Sequence, residues 1–145
     1  MIIKLISASI GALGFGLVFN TKKDKLPFVF LGGFINILFY EVTYKYTNNI
    51  FLSSCVCAAA IYVYSNVIAR VIKCPSVIFV LTGIVPIVPG ASLFYMMQNI
   101  VISNNSLAVK YGLQALYTIL GIAFGIALFS MFLNLFRNTH DSLKK

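Results

Sequence analysis

The sequence predicts an all-α membrane protein, a bundle of five transmembrane helices whose fourth is broken at a Pro-x-x-Pro-Gly motif. Three observations carry that fold class. Of 145 residues, 60% are hydrophobic and only 10% are charged, and the mean hydropathy is +0.95. A soluble domain needs roughly 25% charged residues to hydrate its surface, so most of this surface faces lipid. The few charges divide the chain into long uncharged runs, and one run carries two prolines three residues apart, which interrupts a helical ladder.

A helical crossing takes about 20 apolar residues for roughly 30 Å of hydrocarbon, so this length holds about five or six crossings and no separate soluble domain. We expect a single transmembrane domain over 1–145. The uncharged runs are 5–21, 26–40, 46–69, 74–109 and 111–136, and the first extends to Ile2 where Lys4 snorkels. The fourth, of 36 residues, is too long for one crossing and too short for two with a turn. Gln98-Asn99 and Ser103-Asn104-Asn105-Ser106 have loop composition. They point to one span over about 74–97 with an exposed connection after it, the alternative being a re-entrant pair of half-helices. The expected spans are about 2–19, 26–44, 49–69, 74–97 and 111–136. The first is read as a span rather than a cleaved signal peptide, because Asn20-Thr21-Lys22-Lys23-Asp24-Lys25 reads as a turn and no small-x-small site precedes a polar mature region.

Basic residues stay preferentially on the cytoplasmic side of short loops. A cytoplasmic first loop puts Lys22, Lys23, Lys25, Arg70, Lys73, Arg137, Lys144 and Lys145 inside, against Lys4, Lys45 and Lys110 outside. The expectation is a multi-pass protein of the inner (plasma) membrane with its N-terminus outside and its C-terminus cytoplasmic. The net charge of +8 belongs to this asymmetry and to the anionic inner leaflet. Basic residues scattered at loop ends make no stripe that tracks phosphates, which argues against nucleic acid as a partner.

Lipid provides no hydrophobic drive between helices, so contact faces should carry small residues. Ala8, Ala12 and Gly16 recur at spacing four, Ser54 is followed by Ala58 and Cys55 by Ala59, and the last span has Gly121-x-x-x-Gly125. Such faces serve a bundle or a homo-oligomer alike. Tyr40, Tyr44 and Tyr46 read as an interfacial aromatic belt at the outer end of the second span. Tyr62, Tyr64 and Asn66 fall inside the third span, where a polar group needs a partner or water. With Asn36, Ser65 and Thr82 they are candidates either for a polar pathway or for interhelical hydrogen bonds.

Catalysis finds little to work with. The carboxylates and imidazoles are Asp24, Glu41, Asp141 and His140, and all but Glu41 fall in turn or tail. No cluster has metal-ligand spacing, no Gly-rich loop cradles phosphate, and Cys55 and Cys57 lie about 200° apart on a helix. No enzyme, cofactor or metal is expected. Glu41 lies roughly 21 Å along the second helix from Pro27 at about 1.5 Å per residue, near the outer boundary. It is read either as a site of ion coupling or as the partner of Lys45 at spacing four.

The strongest local signal is Gly83-Ile84-Val85-Pro86-Ile87-Val88-Pro89-Gly90-Ala91-Ser92. Each proline removes a donor and crowds the carbonyl four residues earlier, which should release the carbonyls of Thr82 and Val85. A half-helix restarting near Gly90 would present the amides of Gly90, Ala91, Ser92 and Leu93 as a positive terminus suited to a carboxylate, as in the broken helices of transporters. A proline-kinked packing helix is the alternative.

Phe15-Gly16-Leu17-Val18-Phe19-Asn20, a basic turn ending in Pro27, Ala69-Arg70-x-x-Lys73-x-Pro75 and Pro86-Ile87-Val88-Pro89-Gly90 with Tyr95 beyond together resemble the threonine/serine exporter family. The chain is similar to the small, C-terminal half of that exporter, which in the split form is a separate five-span chain. The resemblance runs from about Ile2 to Arg137 and implies an inner-membrane exporter of small amino acids or related carboxylates, acting with a larger companion subunit. The candidate substrate residues are Thr82, Pro86, Pro89, Gly90, Ala91, Ser92 and Tyr95, with Asn36, Tyr62 and Asn66 along a pathway. A non-transporting scaffold subunit that stabilises a membrane partner is the other reading.

Overall fold

The computed structural model describes residues 2–142, and within them the side chains of all but residues 2, 134 and 136–142. Among the described residues there are six α-helices and no strand: α1 Ile2–Val18, α2 Leu26–Thr47, α3 Ile50–Ile72, α4 Ser76–Ile84, α5 Gly90–Val101 and α6 Asn105–Ser142. The side chains of Arg137, His140, Asp141, Lys144 and Lys145, which carry part of the expected charge asymmetry and of the acid–base inventory, lie outside the described residues. The segments Lys23–Thr47, Ile50–Ile72 and Asn105–Leu133 are long and apolar enough to cross a membrane. Ser76–Ile87 and Gly90–Val101 together make a fourth if the bent pair is one span. Helix α1, at 17 residues, sits at the short end of the range of about 17–25 residues for a crossing.

Local chemistry sets the boundaries. Pro27 sits in the first turn of α2, where its missing amide would have had no intrahelical partner. At the α2–α3 turn two adjacent asparagines divide the work. Asn48 ends α2 in the left-handed region (φ 49°), its amide bonded to the Tyr44 carbonyl. Asn49 caps α3, its side-chain oxygen accepting from the amides of Phe51 and Leu52 at 3.0 and 3.3 Å. Lys73 ends α3 in the same left-handed manner, and Pro75 immediately precedes α4.

The last connection departs from expectation. Gln98 and Asn99 belong to α5, and α6 starts at Asn105 rather than near 111. Asn99 is buried and donates from Nδ2 to the Tyr95 carbonyl at 2.7 Å, while Asn104 accepts from the Leu107 amide at 3.3 Å. Amide side chains that satisfy backbone groups locally fit a helix or its cap as readily as a loop, so composition overestimated the connection.

Helix α1 packs on α2, α2 on α3, and α3 on α6, while α4 lies among α1, α2 and α3, and α5 packs on α6. The small-residue faces are the contact faces. A Cβ placed on Gly33 of α2 would lie 2.6 Å from the Cβ of Ala12. One on Gly121 of α6 would lie 2.6 Å from the Phe51 carbonyl oxygen and 2.8 Å from the Cβ of Ser54, and Gly125 likewise abuts Cys55 and Ala58. Ala12, Val29, Ala69 and Phe79 form the buried apolar cluster at the meeting of α1, α2, α3 and α4.

Two contacts mark the ends of the bundle. Lys25 Nζ donates to Cys74 Sγ, so the basic turn after α1 and the turn between α3 and α4 share one end. At the other end Lys4 Nζ and Glu41 Oε1 form an ion pair at 2.8 Å. The expected partner of Glu41, Lys45 one turn along the same helix, is displaced by Lys4. The close α1–α2 approach at Ala12 and Gly33 brings the lysine of the neighbouring helix within reach, and the pair ties α1 to α2.

Candidate functional site

The break between α4 and α5 organises the site. Pro86 and Pro89 have no amide hydrogen, and the ladder of α4 ends at Ile84 and tightens into a 3₁₀ turn, Val85–Ile87. The Val88 amide closes that turn on the Val85 carbonyl at 3.2 Å. The Val85 carbonyl, expected to be free, therefore has a local partner. The axis then bends by 45° and restarts at Gly90. From α2, Asn36 Nδ2 donates to the Gly83 carbonyl. Asn36 is fully buried, and its Oδ1 has no partner among the described residues.

The start of α5 is narrower than the sequence suggests. The Gly90 amide donates to the Val88 carbonyl at 2.7 Å and the Leu93 amide to the Pro89 carbonyl at 3.0 Å. The first bond belongs to the turn and the second is the first rung of the new helix. That leaves Ala91 and Ser92 as the open donors of the four expected, and Pro89 at the cap position provides no side-chain acceptor.

Beside this terminus lies a cavity of about 170 Å³. Pro86 and Ile87 line it from the 3₁₀ turn, Pro89 and Ser92 from the start of α5, Ile37 and Tyr40 from α2, and Thr118 from α6. Its volume is well below the range of about 300–1,000 Å³ common for drug-sized ligands, so it suits a small solute. Roomier hollows lie elsewhere. One of about 570 Å³ sits between the α2–α3 turn and α6, where Asn49 is already engaged as a cap. Another, of about 410 Å³, is an apolar cleft between α5 and α6, and a third, of about 600 Å³, is an apolar hollow between α1 and the start of α2, with Lys23 at its edge.

Of the residues singled out from the sequence, Pro86, Pro89 and Ser92 come together at the cavity, with Gly90 and Ala91 on the adjoining backbone. Thr82 is fully buried and donates to the Ile78 carbonyl at 2.8 Å. Tyr95 is exposed, its ring centroid 5.4 Å from that of Tyr111; neither is among the cavity's lining residues. Asn66 donates to the Tyr62 carbonyl at 2.8 Å within α3, and the Tyr64 hydroxyl reaches the Phe28 carbonyl at 2.8 Å, joining α3 to α2. Ser65 is fully buried without a hydroxyl partner among the described residues. No group of three or more potential metal ligands gathers among the described residues.

Two polar lining residues escaped the sequence reading. Tyr40 was grouped with the aromatic belt, and its ring does stack on that of Tyr44 at 6.0 Å, yet it also faces the break. Thr118 is a hydroxyl inside the apolar run of α6 and could have been weighed with the intramembrane polar residues.

The family described as Threonine/Serine exporter, ThrE, matches residues 4–132. The chain belongs to the threonine/serine exporter family. The matched segment takes in α1 through most of α6 and includes the break. No curated protein and no solved structure matches the chain. As a member of a family of exporters with several helices apolar enough to span a bilayer, it is a multi-pass membrane protein with a transport-type role.

Proposed function

We propose that the chain is one subunit of an inner-membrane exporter of threonine and serine or related small carboxylates, acting with a larger companion subunit of the same family. In this reading residues 1–145 form one transmembrane domain that crosses five times. Helix α1 is the first crossing, and the bent pair α4 and α5 is a broken fourth. The N-terminus lies outside and the C-terminus in the cytoplasm. The shared location of Lys25 and Cys74 at one end supports a common side for the basic turns that follow α1 and α3.

The observation that carries the mechanism is the small cavity at the break. The substrate carboxylate docks on the open amides of Ala91 and Ser92 at the positive end of α5. Pro86 and Pro89 keep that end open by denying it a continuous ladder, Gly90 begins the new helix beside them, and Thr82, Asn36, Tyr62, Asn66 and Tyr95 flank the route. Glu41 lies in the second half of α2, next in sequence to Tyr40 of the cavity and paired across helices with Lys4. It is the group through which an ion gradient would couple to export, and an unchanged pH dependence of transport in Glu41→Gln would remove that role.

The test uses cells lacking their native exporter that co-express the chain with its larger companion. Intracellular threonine or serine falls with the wild type. It does not fall with Pro89→Ala or Gly90→Leu at equal membrane abundance. Normal export by both variants would overturn the broken-helix mechanism, and equal export by the companion alone would favour a scaffold subunit.

A further inference from the structure

We propose that Tyr40 and Thr118 are specificity-determining residues that recognise the side-chain hydroxyl of the exported amino acid. The inference rests on the transport reading above and deepens it by assigning the hydroxyl-reading groups. Both residues line the cavity at the break, Tyr40 from α2 and Thr118 from α6, and the two differ in what they have left to offer. The Thr118 hydroxyl already donates to the Gln114 carbonyl at 2.8 Å, so its oxygen has only acceptor capacity to spare. The Tyr40 hydroxyl makes no hydrogen bond among the described residues; the ring contact with Tyr44 accounts for its aromatic face alone. Its proton is free to donate.

One donor from α2 and one acceptor from α6, both lining the same cavity, match a group that both accepts and donates. An aliphatic hydroxyl does this, whereas a methyl group does neither. Ile37 and Ile87 provide apolar wall in the same cavity, which suits the methyl of threonine beside its hydroxyl. Thr118 is buried and Tyr40 half-buried, and a site that holds polar groups for a substrate hydroxyl discriminates against analogues lacking it, because those groups are then left unpaired. By contrast, the amides of Ala91 and Ser92 address a carboxylate that every amino acid has. The carboxylate end gives affinity to the class, and Tyr40 with Thr118 selects the hydroxylated members.

The experiment measures export of L-threonine against L-2-aminobutyrate, the same skeleton without the hydroxyl, from cells that co-express the chain and its companion. The wild type exports threonine in preference, and equal rates for the two solutes would overturn the proposal without any variant. Tyr40→Phe and Thr118→Val each lower the threonine to 2-aminobutyrate ratio by about tenfold, the size of one well-made hydrogen bond. Thr118→Ser keeps the hydroxyl and the wild-type ratio. Because the readout is a ratio within one strain, a change in protein level does not mimic it. A ratio unchanged in both Tyr40→Phe and Thr118→Val, with threonine still exported, would overturn this assignment and leave the transport reading standing. Failure of the wild type to export either solute would overturn the transport reading itself.

Discussion

Helices α4 and α5 come from one uncharged run and share an apolar composition, yet they meet opposite surroundings. In α4, Phe79, Thr82 and Gly83 are buried against α1, α2 and α3. In α5, Leu93, Phe94, Met97, Ile100 and Val101 are exposed, and Asn99 is the buried residue. The difference teaches that hydropathy sets membership of the membrane, while small residues and polar pairs set membership of the core. Gly83 lets α4 approach Ile61 so closely that an added Cβ would sit 2.5 Å from that side chain, whereas a Cβ on Gly90 would meet nothing within 4 Å. The break joins an anchored half to a half with a free face, and the cavity lies at the joint.

Substitutions can break this contrast or sharpen it. The largest expected effect is at Phe79, which is 2% exposed. Phe79→Ala destabilises the detergent-solubilised protein by about 3–5 kcal/mol through the hole it leaves, whereas Phe94→Ala in α5 stays within about 0.5 kcal/mol. Denaturant unfolding of the two variants side by side checks this, and equal losses would erase the contrast. Next is overpacking: Gly83→Val costs about 1–3 kcal/mol against Ile61, and Gly90→Ala leaves the unfolding midpoint close to the wild type.

A smaller effect is expected where α2 supports the break. Asn36→Leu leaves the Gly83 carbonyl without its side-chain donor and lowers stability by about 1–2 kcal/mol; a midpoint equal to that of the wild type would show that the carbonyl finds another partner. The smallest is at the exposed ion pair. The Lys4 side chain is 67% exposed, so Lys4→Gln changes stability by less than about 0.5 kcal/mol, and its thermal midpoint should overlay that of the parent.

Much of the architecture was legible in the sequence because its signals are local. Charge placement located the apolar helices, and the two prolines at 86 and 89 located the interruption. Small-residue spacing found the faces on which α1 meets α2 and α3 meets α6. What escaped depends on distance across the fold. Glu41 has lysines available on its own helix and on α1, and only the packing of α1 chooses Lys4. Tyr40 reads as a belt residue until α5 and α6 are set beside it, and Thr118 gains its meaning from the same arrangement. The open amides narrowed from four to two because a turn bond at Gly90 and the first rung at Leu93 depend on the path of the backbone through Pro89.

The most direct measurement is threonine efflux from preloaded cells that carry the companion subunit and equal membrane amounts of wild type, Gly90→Leu or Phe94→Ala. The account predicts that Gly90→Leu, at the joint, abolishes efflux while Phe94→Ala, on the outward face of α5, retains it. Efflux at the wild-type rate in Gly90→Leu would contradict the claim that substrate is handled at the break.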